Sequence, residues 1–401
     1  MKQKCVLAYS GGLDTSAIIP WLKENYQFDV IAYCCNVGNL PPEQELRDRA
    51  LQLGAVDFVY EDAEDEFVSD YVYPTLRSGA TYFDDYLLGT AIARPLIGAR
   101  VAAFAQRIGA RAIAHGATGK GNDHIRFERA WAYLCPDLEV IAPWKIWSYR
   151  SREELIAYLG ERGMPWGQGK KTYSVDVNTF HRSCEGGDLE TIEKPYAQSD
   201  VYEWLSLNPP SEPTLVTLGV ENGLITTLNG KTQSPRQVLE QLNMLGSKYG
   251  IGVCDIVEER ANGIKSRGVY ETPGGTLAHT AIKALRQICW TRELYQTYQP
   301  MSDRYGTLVY DGLWFSDARL ALEGFFAAAS NNLSGSVTLR LQASHCAVLN
   351  RESPYSLYNP NVVSFESDSL DIHKAALGYT KILTLSSLLQ GQRQRETHKH
   401  K

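Results

Sequence analysis

The chain has 401 residues, 44% of them hydrophobic and 21% charged, with a formal net charge of −6. That describes a soluble globular protein of two or three domains, with no overall positive field to draw in nucleic acid. Its eight cysteines form no C-x-x-C pair, no apolar run approaches the roughly 18 residues of a membrane span, and the five apolar residues before Ser10 are too few for a secretory signal. A disulfide framework, a zinc site and a membrane partner are therefore not expected, and a cytoplasmic location is.

"CVLAY" predicts a first buried strand and "TSAIIPWLKENY" an amphipathic helix that contains Pro20. "DVIAYCCNV" is a second strand, and "PPEQELRDRALQLG" a helix with proline at its entry and Gly54 at its end. "VDFVYED" is a third strand, "RPLIGARVAAFAQRIG" a long helix and "ARAIAHG" a fourth strand. This alternation predicts a doubly wound parallel sheet, Rossmann-like, with ligands at the carboxyl ends of its strands. From about Lys170 polar turns multiply. "PTLVTLGV", "SGSVTLRLQA" and "HCAVLN" read as strands of a second α/β domain, and "ENGLITTLNGKT" as a hairpin. The stretch from 374 to 395 has the apolar spacing of a helix, which docks either on its own domain or on a neighbouring subunit.

Two glycine-rich turns carry the chemistry. "AYSGGLDTS", positions 8–16, follows the first strand. Backbone amides at such a turn converge on an anion, helped by the positive end of the helix dipole. Gly11 and Gly12 alone would be only a tight turn, with Asp14 or Thr15 as a helix cap. The turn lacks both the Walker A and the dinucleotide spacing. "AHGATGKGNDHIRFE", from Ala114, places Asn122, Asp123 and Arg126 within five residues, a mixture suited to a zwitterion. "DDYLLGTAIARP" reads locally as packing, "YSVDVNTFHRSCEGGDLE" as a polar loop, and the charged "DIVEERANGIKSRG" as a solvated face. In "YETPGGT" a tyrosine precedes what reads as a tight Pro-Gly-Gly turn.

"SGGLDTS" resembles the pyrophosphate loop of the N-type ATP pyrophosphatases. With the four other stretches, and with "IAPW" and "RESPYSLYN", the chain resembles the argininosuccinate synthases from about Val6 to Tyr358. The resemblance implies ligation of citrulline to aspartate, with ATP split to AMP and pyrophosphate. It implies that Ala8, Tyr9, Ser10, Gly11, Gly12, Leu13, Asp14, Thr15 and Ser16 wrap the ATP phosphates, with Cys35 and Gly116 near the adenosine. Tyr86, Thr90, Asn122, Arg126, Ser174, Ser183, Glu258 and Tyr270 would face citrulline. Thr118, Asn122 and Asp123 would face aspartate. Magnesium is expected with ATP, though no residue is assigned to it.

The resemblance also implies a homotetramer and three segments: 1–168 for the nucleotide, 169–365 for the amino acids, and 366–401 for assembly. No protein nucleophile is called for, and His115 and His181 read as structural. Two residues depart from the family pattern: Ala91 replaces a common serine, and Cys35 a common alanine. The alternatives are a tRNA-thiolating enzyme of the same superfamily, which would want a cysteine pair and a basic surface, and an idle nucleotide-binding regulator, which would show a damaged loop.

Overall fold

β1 (Lys4–Ala8) is buried from Cys5 onward, as an apolar strand must be when helices cover both faces of its sheet. In the computed structural model, which describes residues 2–38, 40–164, 166–167, 172–364 and 371–399, β1 is the centre of a parallel sheet. Its companions are β2 (Asp29–Asn36), β3 (Asp57–Asp62), β4 (Ala112–Ala114) and β5 (Glu139–Ile141), in the order β3-β2-β1-β4-β5. Cys5 pairs with Val30 on one side and Ala112 on the other. The strand order reverses between β1 and β4, which opens a crevice at their carboxyl ends. Both glycine-rich turns leave the sheet at that crevice.

β5 is absent from the sequence reading, because three residues with Glu139 and Val140 exposed show no pattern. The helix Gly89–Arg107 begins five residues before the predicted start. Its first turn is held by Tyr86, whose hydroxyl accepts the Thr90 amide at 3.1 Å.

The remaining strands are β6 (Ser174–Val177), β7 (Arg182–Glu185), β8 (Thr214–Glu221), β9 (Leu224–Leu228), β10 (Lys231–Thr232), β11 (Val253–Glu259), β12 (Lys265–Glu271), β13 (Gly335–Gln342) and β14 (His345–Glu352). They form two antiparallel sheets, ordered β10-β9-β8-β13-β14 and β11-β12-β7-β6. The fold is thus an N-terminal Rossmann-like parallel sheet with a second α/β region after it. The supposed polar loop at 173–190 contains a hairpin, β6–β7. The charged run at 255–276 likewise folds back as β11–β12.

The expected Pro-Gly-Gly turn is instead the start of a helix, Pro273–Cys289. Proline suits a first helical position. The glycines permit close approach: a Cβ on Gly275 would stand 2.6 Å from Phe180 Cε2, and one on Gly274 would stand 2.5 Å from Asn243 Oδ1. Residues 1–355 make one compact unit holding all three sheets, and 356–401 make another. The second contains helices Ile372–Leu383 and Leu385–Lys399, which part at Thr384. No described helix is long and apolar enough to cross a membrane.

Candidate active site

At the end of β1 the chain turns through Gly11, whose φ of +73° is open to glycine at little cost. Arg49 fixes this turn by donating to the Gly11 carbonyl at 2.7 Å. The helix Leu13–Tyr26 starts with Ser16 N donating to Gly12 O at 2.9 Å, so the amides before Ser16 emerge from the helix end. Ser10 and Thr15 hydroxyls meet at 3.2 Å across the turn. Ser10 and Gly12 are exposed, whereas Ala8, Tyr9, Leu13, Thr15 and Ser16 are buried, so the last five offer a ligand their backbone more than their side chains. Burial pushes the Asp14 carboxyl up against the pull of Arg152. The second glycine turn touches the first: a Cβ on Gly116 would be 2.8 Å from Thr15 Cγ2.

Beside these turns lies a cavity of about 1030 Å³. Its floor is one face of the sheet β11-β12-β7-β6. Glu258 pairs with Ser266, Tyr270 with Ser183, Ser183 with Asp176, and Glu185 with Ser174. Paired residues share a face, and all seven line the cavity. Cys184 and Val269, of opposite parity, are buried in a small apolar cluster with Leu189 and Val201. Two-residue periodicity thus places most of the polar floor residues on one face, with Arg267 and Val257 of the other parity reaching the cavity at its edge.

The wall is an ion-pair network. Arg94 donates to Asp123 at 2.9 Å and to Asp176 at 2.8 Å, while Arg126 donates to the other Asp123 oxygen at 3.0 Å. Arg126 also donates to the Tyr310 carbonyl at 3.0 Å, with its guanidinium over the Tyr310 ring. Burial pushes the Asp123 carboxyl up, but the two arginines outweigh it and hold it below the usual range. Thr90 Oγ1 donates to Asp176 at 3.1 Å and lies 2.9 Å from His181 Nε2. Burial lowers the His181 pKa to about 4, so that ring is neutral near pH 7.

Tyr86 and Tyr270 stack with centroids 4.2 Å apart. Tyr270 donates to Glu258 Oε1 at 3.1 Å, while the buried Oε2 of Glu258 has no hydrogen-bond partner among the described residues. Burial pushes this carboxyl up, and an incoming cationic donor would reverse that.

His115 has its tautomer set by its neighbours. Ala117 N donates to its Nδ1 at 3.2 Å, so the ring proton sits on Nε2, 3.2 Å from Glu128. Lys145 completes the group at 2.5 Å from the same Glu128 oxygen.

Of the residues named from sequence, Asp14, Tyr86, Thr90, Gly116, Thr118, Asn122, Asp123, Arg126, Ser174, Ser183, Glu258 and Tyr270 line the cavity together. Ala8 to Leu13, Thr15, Ser16 and Cys35 lie outside that lining. Cys35 is buried near the end of β2, its thiol pushed up to about 12 by burial. The sequence reading left Asp176 in a polar loop without a role and missed Glu185, Arg260 and Tyr310, which line the cavity, and Arg94, which pairs with two of its carboxylates. The alternation of Ser174, Asp176 and Asn178 was the signal for Asp176. Arg94 and Tyr310 lie inside helices and carry none.

Residues 4–165 match the family described as arginosuccinate synthase N-terminal HUP domain, and 173–390 match the arginosuccinate synthase C-terminal domain. The chain belongs to the argininosuccinate synthase family. It is 46% identical over 389 residues to an argininosuccinate synthase of Desulfitobacterium hafniense (strain DSM 10664 / DCB-2), covering 96% of each chain. It is 45% identical over 391 residues to that of Caldanaerobacter subterraneus, covering 96% of this chain and 94% of the relative. The figure is 44% over 395 residues for that of Buchnera aphidicola, covering 97% and 98%. With the family comes the enzyme class, a ligase that forms a carbon–nitrogen bond. Ala91, set apart in the sequence reading from a common serine, is fully buried, while Thr90 beside it lines the cavity.

Proposed function

We propose that this cavity joins citrulline to aspartate at the expense of ATP, through a citrullyl-adenylate, in arginine biosynthesis. The observation that carries the reading is the continuity of two unlike surfaces. A floor and wall of paired charges, suited to zwitterions, meet an anion-binding turn at Asp14 and Gly116. In this reading Ala8 to Ser16 and Gly116 hold ATP, and the helix end receives the pyrophosphate part. Tyr86, Thr90, Arg126, Ser174, Ser183, Glu258 and Tyr270 hold citrulline, Thr118 and Asp123 hold aspartate, and Asn122 lies between the two.

The ureido oxygen of citrulline attacks the α-phosphorus, and the bond from that phosphorus to the bridging oxygen breaks to release pyrophosphate. The oxygen, now part of an adenylate, is a good leaving group. The aspartate amine attacks the ureido carbon, a proton is lost from nitrogen, and AMP departs with the former ureido oxygen. The protein contributes position and charge rather than a nucleophile. Among the described residues no cluster of three or more His, Cys, Asp or Glu side chains is placed to hold a metal. Magnesium would accompany ATP through the phosphate oxygens and supply charge neutralisation there, with no residue of this chain assigned to it.

The division of labour we infer runs from 1–168 for ATP through 169–365 for the amino acids to 366–401 for a cytoplasmic homotetramer. The exposed Leu377, Ile382 and Leu388 of the terminal helices support such assembly.

Citrulline labelled with heavy oxygen at the ureido group tests the chemistry. The label is expected in AMP. Label in inorganic phosphate, or ADP as product, overturns the adenylate.

A further inference from the structure

The β11–β12 hairpin ends in a tip, residues 260–264, that reaches the second glycine turn. Arg260 Nη1 donates to the Lys120 carbonyl at 3.0 Å, and Asn262 Nδ2 donates to the same oxygen at 3.3 Å. Ala261 N donates to Asn122 Oδ1 at 3.0 Å. Glu185, on the cavity floor, aims the arginine by taking its other terminal nitrogen at 2.7 Å. The other half of the Asn122 amide donates to the Tyr310 hydroxyl at 2.8 Å.

The turn is anchored at Gly116 and Ala117 on one side and at Asn122 on the other, and the stretch between them is open. It carries neither strand nor helix between 115 and 122, and a Cβ at Gly119 or Gly121 would meet nothing within 4 Å. Its carbonyl at Lys120 therefore takes its position from the hairpin, and its amide side chain at Asn122 is held between the hairpin and Tyr310. The same hairpin carries Glu258 and Tyr270 on its cavity face.

We propose that Arg260, with Asn262 and the Ala261 amide, is a clasp that sets the aspartate-side turn from the citrulline-side floor. Arg260 is a positioning residue. It acts through Lys120 and Asn122, and it couples the two amino-acid subsites mechanically. The clasp rests on the assignment of aspartate to Thr118, Asn122 and Asp123. Its consequence is a division between half-reactions: adenylation needs the floor and the ATP turn, whereas capture of the adenylate needs the clasped turn as well.

The test uses the full-length enzyme with Arg260→Ala, Asn262→Ala and Arg260→Lys, beside Thr118→Ala as a control on the aspartate assignment. Two quantities are measured: KM for aspartate, and citrulline-dependent exchange of labelled pyrophosphate into ATP without aspartate. Loss of a charged hydrogen bond predicts a rise in aspartate KM of roughly ten- to hundredfold for Arg260→Ala. The rise should be smaller for Asn262→Ala, and Arg260→Lys should recover part of the loss. Exchange should fall by a clearly smaller factor than the aspartate KM rises, because Asn122 and Glu185 also border the citrulline side. An unchanged aspartate KM in Arg260→Ala, or exchange lost in parallel with it, overturns the clasp. If Thr118→Ala is equally silent toward aspartate, the assignment itself has failed and the clasp falls with it. Should Arg260→Ala fold poorly, Asn262→Ala, a change at an exposed tip, decides the question by the same two quantities.

Discussion

Arg94 donates through Nε to Asp123 at 2.9 Å, so the carboxylate proposed for a substrate amine already carries a protein cation. Arg126 takes its other oxygen. Asp123→Ala leaves Arg94 with Asp176 alone and Arg126 with the Tyr310 carbonyl, and removing one partner of such a pair costs about 2–5 kcal/mol. With the Asp123 side chain 30% exposed, the low end is expected. Steady-state kinetics should show aspartate KM rising more than citrulline KM. An equal rise in both would mean that Asp123 serves only to hold Arg126.

Gly12 offers a clean test of the phosphate turn. Its φ of −74° is open to any residue, and an added Cβ would meet only Ser10 Oγ, at 3.4 Å. Gly12→Ala should fold normally and melt within about two degrees of wild type, as surface changes away from packed contacts do. It should nonetheless bind ATP about tenfold or more weakly in calorimetry, because the methyl stands where the backbone must approach phosphate. Unchanged ATP affinity removes the turn from the nucleotide site.

Glu128 predicts a pH dependence of stability. The His115 hydrogen bond, and then Lys145, draw its pKa from 4.5 down to about 2 against the effect of burial. A carboxyl depressed on folding stabilises above its unfolded value, and that contribution drains away as pH falls toward the folded value. The difference in Tm between wild type and Glu128→Gln should therefore be full near pH 6 and shrink steadily from about pH 4.5 to about pH 2. A difference that stays constant over that range would show that the group is uncoupled from folding.

Gly275→Ala should destabilise the fold without touching the cavity lining. The new methyl would collide with the Phe180 ring and with Thr272 Cγ2, and overpacking of this kind costs about 1–3 kcal/mol. Urea denaturation gives the value directly. A variant as stable as wild type would mean that the Phe180 ring can move aside at no cost.

The terminal helices can be tested by charge. Leu377 and Ile382 are 70% and 76% exposed on the chain alone. The double substitution Leu377→Asp and Ile382→Asp should convert a tetramer in sedimentation velocity into smaller species. A wild type that sediments as a monomer would sink the assembly reading.

The parallel sheet was legible because "CVLAY" and "DVIAYCCNV" are apolar on both faces and glycine turns come at the right spacing. β5 escaped because three residues at a sheet edge carry no period. The β6–β7 hairpin was hidden by the cavity it faces. A strand that turns serines and aspartates into a wet cavity looks, residue by residue, like a loop. Tyr310 and Arg94 were invisible for the opposite reason. Each sits in a helix whose pattern declares packing, and only long-range folding brings them to Asn122 and Asp123.

The cavity floor presents its polar residues mainly at every second position of four strands, and this ties the proposed binding surface to strand length as well as to composition. An outward-facing residue can be exchanged without moving a neighbour. Deleting one residue within Arg182–Glu185 is different in kind, because it turns each later side chain of the strand to the opposite face. The Cys184 thiol would then stand among the ligands, and the Glu185 carboxylate would face Leu189 and Val201. Drift along this lineage, or a laboratory library built on this scaffold, is therefore expected to change single side chains here far more readily than the residue count of each floor strand.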